Sequence, residues 1–314
     1  MREPSYLALH RKGELEERLE KLFALMATCE LCPRQCKVRR LEGENGICQT
    51  GMRAKVASYN PHFGEEAPLV GRSGSGTIFM SSCNLFCSFC QNYEISHLGQ
   101  GVEADAGQLA AMMVSLQRQG CHNINFVTPS HVVPQIIAAL PQAVAKGLNV
   151  PLVYNSSGYD SVATLKILEG IFDIYMPDFK FWSEESGKRY AKASDYPEVA
   201  RRALREMHRQ VGDLVLDDAG VAVRGLLVRH LVMPGGLDET RSIMQFLAQE
   251  LSVDTYVNVM DQYRPCGLAR QYPPIDRGLN GAEYREALDA AREAGLHRLD
   301  ERDWTRILSR LGFR

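Results

Sequence analysis

The chain has 314 residues, of which 45% are hydrophobic and 24% are charged, and its formal net charge is −2. These ordinary values argue against a disordered chain, a collagen-like chain and a strongly basic nucleic-acid-binding protein. Residues 1–30 lack the apolar segment of a signal peptide, and no apolar run approaches the roughly 18 residues of a membrane span. We therefore expect a cytoplasmic protein with neither a membrane nor a nucleic-acid partner.

The cysteines are unevenly placed. Of the nine, only Cys121 and Cys266 lie outside the first third of the chain. In a reducing compartment, clustered cysteines more often bind metal or carry out redox chemistry than form disulfides. Their placement indicates a metalloprotein before any motif is considered.

The first 75 residues are predicted to form an N-terminal extension. A helix is predicted over 13–28, because Leu15, Leu19 and Leu22 recur at helical spacing. Residues 29–75 hold four cysteines, three prolines and a Gly/Ser stretch, which predict irregular structure. We expect this Cys-rich extension to end near residue 75.

From residue 76 the pattern becomes strand, loop and helix, repeated. Strands rich in Val, Ile and Leu that alternate with helices predict a parallel sheet. Six such units predict an α/β fold, a partial (β/α)6 barrel over 76–314, with its chemistry at the carboxyl ends of the strands. The predicted strands are 77–80, 123–127, 152–155, 173–176, 226–232 and 255–260. The predicted helices are 107–119, 134–145, 161–168, 184–211, 238–251, 282–294 and 302–311.

The main motif directly follows the first of these strands. Cys83, Cys87 and Cys90 have the spacing C-x3-C-x2-C. A cubane of four irons normally takes four cysteines, so three would leave one iron open for a small chelating molecule. An open coordination position is typical of a reacting metal centre. The alternative is structural zinc, for which His97 could supply a fourth ligand.

This loop, with the aromatic Phe89 before its last cysteine, resembles the radical S-adenosylmethionine superfamily. The resemblance implies a 4Fe–4S cluster on the three cysteines and S-adenosylmethionine on its fourth iron. One electron from the cluster would then cleave S-adenosylmethionine to a 5′-deoxyadenosyl radical, which abstracts hydrogen from a substrate. The hard chemistry belongs to the cofactors, while the protein orients them.

Within the superfamily, the chain is similar to the pyruvate formate-lyase activating enzymes, and most similar to an uncharacterised branch. The matching segments include G-S-G-T-I-F-M-S-S-C-N-L-F-C at 74–87 and V-R-H-L-V-M-P-G at 228–235. By the match, Asn155, Asp178 and Lys180 lie close to S-adenosylmethionine, with Phe89 beside the cluster. The group's Gly-Gly-Glu element is replaced here, which leaves Thr128 or Ser130 to accept from the methionyl amine.

The second cysteine set is Cys29, Cys32, Cys36 and Cys48. Four thiolates on one irregular segment can hold either zinc or a second iron–sulfur cluster, and the spacing does not choose between them. Near the end of the barrel, Tyr263 and Cys266 are candidate catalytic residues because they follow the sixth strand.

Two function hypotheses follow. The first is an oxidoreductase of the activating-enzyme type that takes electrons from a flavodoxin or ferredoxin. Its hydrogen abstraction would act on an unidentified substrate, such as a protein substrate or a glycyl-radical enzyme partner. The second is an iron–sulfur or zinc scaffold, or electron carrier, that does not use S-adenosylmethionine. The three-cysteine loop favours the first, because a pure carrier would prefer four ligands.

Overall fold

The structure is a computed structural model that describes residues 3–300. Its strands are β1 Ala54–His62, β2 Ser75–Met80, β3 Val102–Ala104, β4 Ile124–Val127, β5 Leu152–Ser156, β6 Ile174–Pro177, β7 Val215–Leu216, β8 Ala222–Leu231 and β9 Tyr256–Met260. Its helices are α1 Ser5–Arg11, α2 Glu14–Ala27, α3 Ala67–Val70, α4 Tyr93–Ser96, α5 Ala106–Arg118, α6 Val133–Ala145, α7 Val162–Ile167, α8 Glu184–Ala191, α9 Tyr196–Val211, α10 Leu237–Phe246 and α11 Gly281–Glu293.

Six parallel strands form an open barrel. They pair in the order β2-β4-β5-β6-β8-β9, and each is followed by helical structure before the next parallel strand. Within the described residues, β2 and β9 are not hydrogen-bonded to each other, so the barrel does not close. The predicted α/β fold with a partial (β/α)6 barrel is confirmed. The predicted helix at 302–311 lies outside the described residues.

The prediction of irregular structure over residues 29–75 was wrong for part of that segment. The nine-residue strand β1 pairs antiparallel with β2, and β3 pairs antiparallel with β1. These strands extend the parallel sheet beyond its first strand. The division of the chain at residue 75 stays a prediction.

The short helix α3 fills the base of the open barrel. Leu69 is fully buried and packs in one cluster with Val153, Ile174 and Leu227 from the barrel strands. Its carbonyl oxygen accepts a hydrogen bond of 2.9 Å from Nδ2 of Asn123. Burying these side chains together contributes roughly 1.5–3 kcal/mol each, which holds the segment before β2 inside the barrel.

The predicted N-terminal helix is confirmed as α2, which packs against α6 on the outside of the barrel. The hydroxyl of Tyr6, in the preceding helix α1, donates to the carbonyl oxygen of Val150 at 3.1 Å. The helices α5 and α11 begin with capping boxes, formed by Asp105 with Gln108 and by Asn280 with Glu283. Among the described residues, no helix combines the length and the apolar character that crossing a bilayer requires.

Candidate functional site

A cavity of about 200 Å³ lies at the carboxyl ends of the six parallel strands. Each of the six strands, or the residues directly after it, contributes to its wall, as expected for a barrel of this type. The lining residues are Phe79, Met80, Ser82, Cys83, Leu85, Cys87, Phe89, Cys90, Gln91, Asn92, Ile95, Ser96, Val127, Thr128, Asn155, Ser156, Ser157, Asp178, Lys180, Arg229, Leu231, Met260 and Gln262.

The three-cysteine loop forms one wall of this cavity. Cys83, Cys87 and Cys90 all line it, and the backbone N–H of Cys90 closes a turn onto the carbonyl of Cys87 at 3.2 Å. The hydroxyl of Ser96 donates to the sulfur of Cys90 at 3.1 Å. Ser88, within the loop, donates from its N–H to Tyr190 and accepts from the N–H of Leu268, both at 2.7 Å. These bonds fix the loop at the mouth of the barrel.

Burial favours the protonated form of two of these thiols when no metal is bound. It raises the pKa of Cys87 to about 12, despite the opposing charge of Lys180. Burial raises the pKa of Cys83 still further, helped by the neighbouring Cys87. A bound metal centre would supply the positive charge that stabilises the thiolates, so the loop is suited to a metal cluster rather than to free anionic sulfurs.

The opposite wall carries charges from β6 and β8. Lys180 forms an ion pair with Asp178, and Nε of Arg229 lies 3.7 Å from a carboxylate oxygen of Asp178. A guanidinium N–H of Arg229 also donates to Oδ1 of Asn155 at 3.3 Å. Burial opposes the charge on Lys180, but the carboxylate of Asp178 and the sulfur of Cys87 outweigh it and raise the pKa of Lys180. The structure thus brings Asn155, Asp178 and Lys180 into one cavity with the cysteines, and their proximity to S-adenosylmethionine stays a prediction.

Two acidic residues that the sequence analysis missed lie behind Arg229. Glu65 and Glu66, between β1 and α3, approach its guanidinium to 3.6 Å and 3.3 Å. Glu66 also accepts a 2.7 Å hydrogen bond from Nδ2 of Asn258 on β9. Burial disfavours the charge on Arg229, but these carboxylates and Asp178 outweigh it and raise the Arg229 pKa. A guanidinium is therefore held charged at the cavity wall.

Three lining side chains offer polar atoms that remain unused. Nδ2 of Asn155, Oγ of Ser157 and Oε1 of Gln262 are buried and have no hydrogen-bond partner among the described residues. Buried polar groups are nearly always hydrogen-bonded, and leaving one unsatisfied costs about 1–3 kcal/mol. These buried atoms without partners indicate that the cavity binds a polar ligand.

Thr128 and Ser130, the predicted acceptors for the methionyl amine, are placed differently. Thr128 lines the cavity and holds a positive φ of 62°, a conformation uncommon for a residue with a branched side chain. Ser82, on the cysteine side, also lines the cavity with a positive φ of 69°. Ser130 lies away from the cavity, where its hydroxyl donates to the buried carboxylate of Asp160 at 2.6 Å. Strained residues concentrate at functional sites, and the cavity holds two.

Of the remaining candidates Phe89, Tyr263 and Cys266, only Phe89 lines the cavity. Phe89 lines the cavity and packs against Phe181, with 5.9 Å between the ring centroids. Tyr263 lies behind Phe89 at 6.0 Å, and its hydroxyl donates to the carbonyl of Ile275. Neither Tyr263 nor the half-buried Cys266 lines the cavity. Gln262 is the lining residue from this segment.

Neither cysteine set is arranged around a single ion. Among residues 3–300, no three His, Cys, Asp or Glu side chains converge closely enough to hold one metal ion. The ring of His97, the alternative zinc ligand, stacks on Tyr93 and shares a 2.8 Å hydrogen bond with the hydroxyl of Ser96. In the second set, Cys29, Cys32 and Cys48 are buried and Cys36 is half-buried.

The chain has a clear relative among curated proteins. No protein-family model matches it. The uncharacterized protein MJ0674 of Methanocaldococcus jannaschii is 33% identical over 293 residues, which cover 90% of this chain and 79% of the relative. This extent of identity places this chain and that protein in one family.

Solved structures overlap the chain in part. Native anSMEcpe with bound AdoMet and a peptide gives a TM-score of 0.49 at 12% identity, covering 74% of this chain and 64% of that one. The radical S-adenosylmethionine methyltransferase TsrM from Kitasatospora setae, with cobalamin and a [4Fe–4S] cluster, gives 0.48 at 16% identity, covering 77% and 57%. The chain therefore spans less than two thirds of these two proteins. TYW1 with a lysine–pyruvate adduct gives 0.41 at 10% identity, covering 69% and 73%. Overlaps of this size do not identify an activity.

Proposed function

Because this chain belongs to the same family as the uncharacterized protein MJ0674 of Methanocaldococcus jannaschii, whose name states no activity, we propose its function from its own site: it is a radical S-adenosylmethionine enzyme. The observation that carries the proposal is that Cys83, Cys87 and Cys90 share one cavity with oppositely charged side chains and with orphaned polar atoms. A four-cysteine electron carrier would need no such cavity.

The residues present fit the two cofactors. Three cysteines on one fixed loop would supply three of the four thiolates that a cubane normally takes, which would leave one iron without a protein ligand. Lys180 and Arg229 offer cationic donors for a carboxylate, and Asp178 offers an acceptor for hydroxyl or amine groups. When bound, the cluster and S-adenosylmethionine supply one-electron cleavage of a sulfonium bond and a carbon radical that abstracts hydrogen.

This chain's own residues would position the ligand and exclude water. The ion pairs of Asp178 with Lys180 and Arg229 hold the polar groups in place before the ligand arrives, which lowers the ordering cost of binding. Phe89, Leu85 and Met260 supply the apolar part of the wall. Such a wall limits competing reactions of a reactive intermediate.

Within the radical S-adenosylmethionine enzymes, we propose that this chain is of the activating-enzyme type. Its electron donor would be a flavodoxin or ferredoxin, and a protein is one candidate substrate. It is supported by the sequence match at residues 74–87 and 228–235 and by the placement of Asn155, Asp178 and Lys180 on the cavity wall. A glycyl-radical partner would present a peptide segment at the mouth of the barrel.

The test is anaerobic reconstitution with iron and sulfide, followed by S-adenosylmethionine and dithionite. We expect release of 5′-deoxyadenosine, measured by chromatography and mass spectrometry. A fully loaded cluster that releases none would instead support the scaffold or electron-carrier hypothesis. Adding candidate peptides with deuterium at the α-carbon would then reveal the substrate class through deuterium in the 5′-deoxyadenosine.

A further inference from the structure

The four cysteines of the N-terminal segment form one cluster in space. Cys32 has Cys29 and Cys48 as electrostatic neighbours, and Cys29 has Cys36. The chain returns over Cys36 at Gly46, where an added Cβ would lie 2.4 Å from the Cys36 sulfur. A side chain at position 46 would displace the Cys36 sulfur, so glycine allows this close approach, after which the chain reaches Cys48.

A buried cation faces this cluster without a carboxylate. Arg40 is fully buried, and among the described residues no carboxylate lies within ion-pair distance of it. Its guanidinium donates to the carbonyl oxygens of Gly51 and His131, both at 2.9 Å, and lies close enough to the sulfur of Cys29 to act on its charge. Burying a charge without an opposite charge is costly, so the fold requires an anion at this place. Thiolates bound to a metal centre would supply it.

We propose that Cys29, Cys32, Cys36 and Cys48 hold a second iron–sulfur cluster, with Arg40 as its buried counter-charge. A zinc ion bound at about 2.3 Å would draw four sulfurs to within about 3.8 Å of one another. No group of three or more His, Cys, Asp or Glu among residues 3–300 is gathered in that way. A [4Fe–4S] cluster takes one cysteine on each of its four irons, so it accommodates cysteine sulfurs that lie farther apart than those around one zinc ion.

The second cluster would adjoin the first. The side chain of Asn84 lies near the sulfur of Cys32, and its Oδ1 lies 4.0 Å from the sulfur of Cys83. The Asn84 carbonyl accepts a 2.9 Å hydrogen bond from Nε of Arg34, which lies between Cys32 and Cys36 in sequence. Asn84, in the three-cysteine loop, therefore lies beside one cysteine of each set, and clusters on both sets would interact magnetically.

The test begins with a variant that removes the first site. Cys83, Cys87 and Cys90 are all replaced by alanine, and the protein is reconstituted anaerobically as the full chain. We expect about four irons and about four sulfides per chain to remain, with a [4Fe–4S] signature in the Mössbauer spectrum. Stoichiometric zinc without sulfide, or loss of all iron, overturns the proposal. Because this variant lacks the first cluster, its result is independent of whether the chain cleaves S-adenosylmethionine.

The role of Arg40 is tested in the same three-alanine background. Arg40→Met removes the buried charge at similar volume, while Arg39→Met, at an exposed position, is the matched control. We expect at least a twofold loss of bound iron for Arg40→Met and none for the control, with circular dichroism showing that both remain folded. Equal iron in both would refute the charge-balance argument.

The proximity of the two proposed clusters is tested by electron paramagnetic resonance. In dithionite-reduced wild-type protein, electron paramagnetic resonance should show a signal broadened by spin–spin interaction. The signal should narrow in the three-alanine variant and in the complementary Cys32→Ser/Cys36→Ser variant. A wild-type spectrum equal to the sum of the two variant spectra would overturn the contact through Asn84.

Discussion

Glu65 and Glu66 are consecutive in sequence and reach the same guanidinium, that of Arg229, at 3.6 Å and 3.3 Å, but their pKa values shift in opposite directions. Burial raises the pKa of Glu66, against the opposing charge of Arg229. Burial also opposes the charge on Glu65, yet its contacts with His62 and Arg229 outweigh burial and lower the Glu65 pKa. As the pH falls, Glu65 therefore keeps the negative charge that faces Arg229 longer than Glu66 does.

This difference predicts the ranking of two matched variants. Glu65→Gln should weaken S-adenosylmethionine binding about tenfold, because it removes the charge that lies 3.6 Å from the Arg229 guanidinium and helps to orient it. Glu66→Gln should change the affinity about twofold or less, because burial raises the pKa of Glu66 and so already disfavours the charge that this substitution removes. Equilibrium binding to the reconstituted protein measures both. The reverse ranking would show that Glu66 carries the charge.

The sequence predicted the barrel and the cysteine wall because both depend on local patterns. The apolar run at 77–80 lies inside β2, and the cysteines follow it directly. The strand β1 was missed because its outer half is exposed and contains Pro61, which is typical of an edge strand and weakens the pattern. Glu65 and Glu66 were missed because their partners, Arg229 and Asn258, lie on distant strands that only the open barrel brings near.

The segment after β9 shows a second limit of sequence patterns. Tyr263 and Cys266 were predicted as catalytic candidates because they follow the last barrel strand. The strand direction fixes which end of the barrel such residues occupy, but not which side chain turns inward. In the structure Gln262 faces the cavity, whereas Tyr263 packs behind Phe89.

The role of the cysteine loop predicts the outcome of Cys87→Ala. Because three thiolates are the minimum for the proposed open cubane, this variant should lose the first cluster and release no 5′-deoxyadenosine. Cys121→Ala is the matched control, since Cys121 is also buried but lies before β4, at the opposite end of the barrel. Iron content, sulfide content and 5′-deoxyadenosine release are measured on both. Cleavage retained in Cys87→Ala would refute the ligand assignment.

The ion pair on the opposite wall predicts a separable defect in ligand binding. Lys180→Met should lower S-adenosylmethionine affinity about tenfold or more while leaving the cluster absorbance unchanged, because Lys180 lines the cavity but is not a metal ligand. The same substitution at the exposed Lys188 on α8 should leave both unchanged. Titration of the reconstituted proteins with S-adenosylmethionine gives the two affinities. Unaltered affinity for Lys180→Met would remove this residue from the proposed site.

His131 predicts how stability depends on pH. Its Nε2 lies 2.9 Å from the carbonyl oxygen of Ser81, which requires a proton on Nε2, while its Nδ1 is buried without a hydrogen-bond partner. Burial lowers the His131 pKa from 6.5 to about 4, with a further contribution from the charge of Arg40. The native state therefore resists a second proton that the unfolded chain accepts.

The direction in which stability changes with pH follows from this difference between the folded and the unfolded state. Above pH 6.5 both states are neutral at His131 and its full contribution to stability is present. That contribution falls as the pH drops from about 6.5 toward 4, by about 2 kcal/mol at pH 5. His131→Gln keeps a donor for Ser81 but does not titrate, so its unfolding free energy should fall less between pH 7.5 and 5 than that of the parent. Urea titrations of the metal-free proteins measure the difference, and the exposed His297→Gln should follow the parent. Parallel pH curves for His131→Gln and the parent would mean that His131 titrates normally in the folded state.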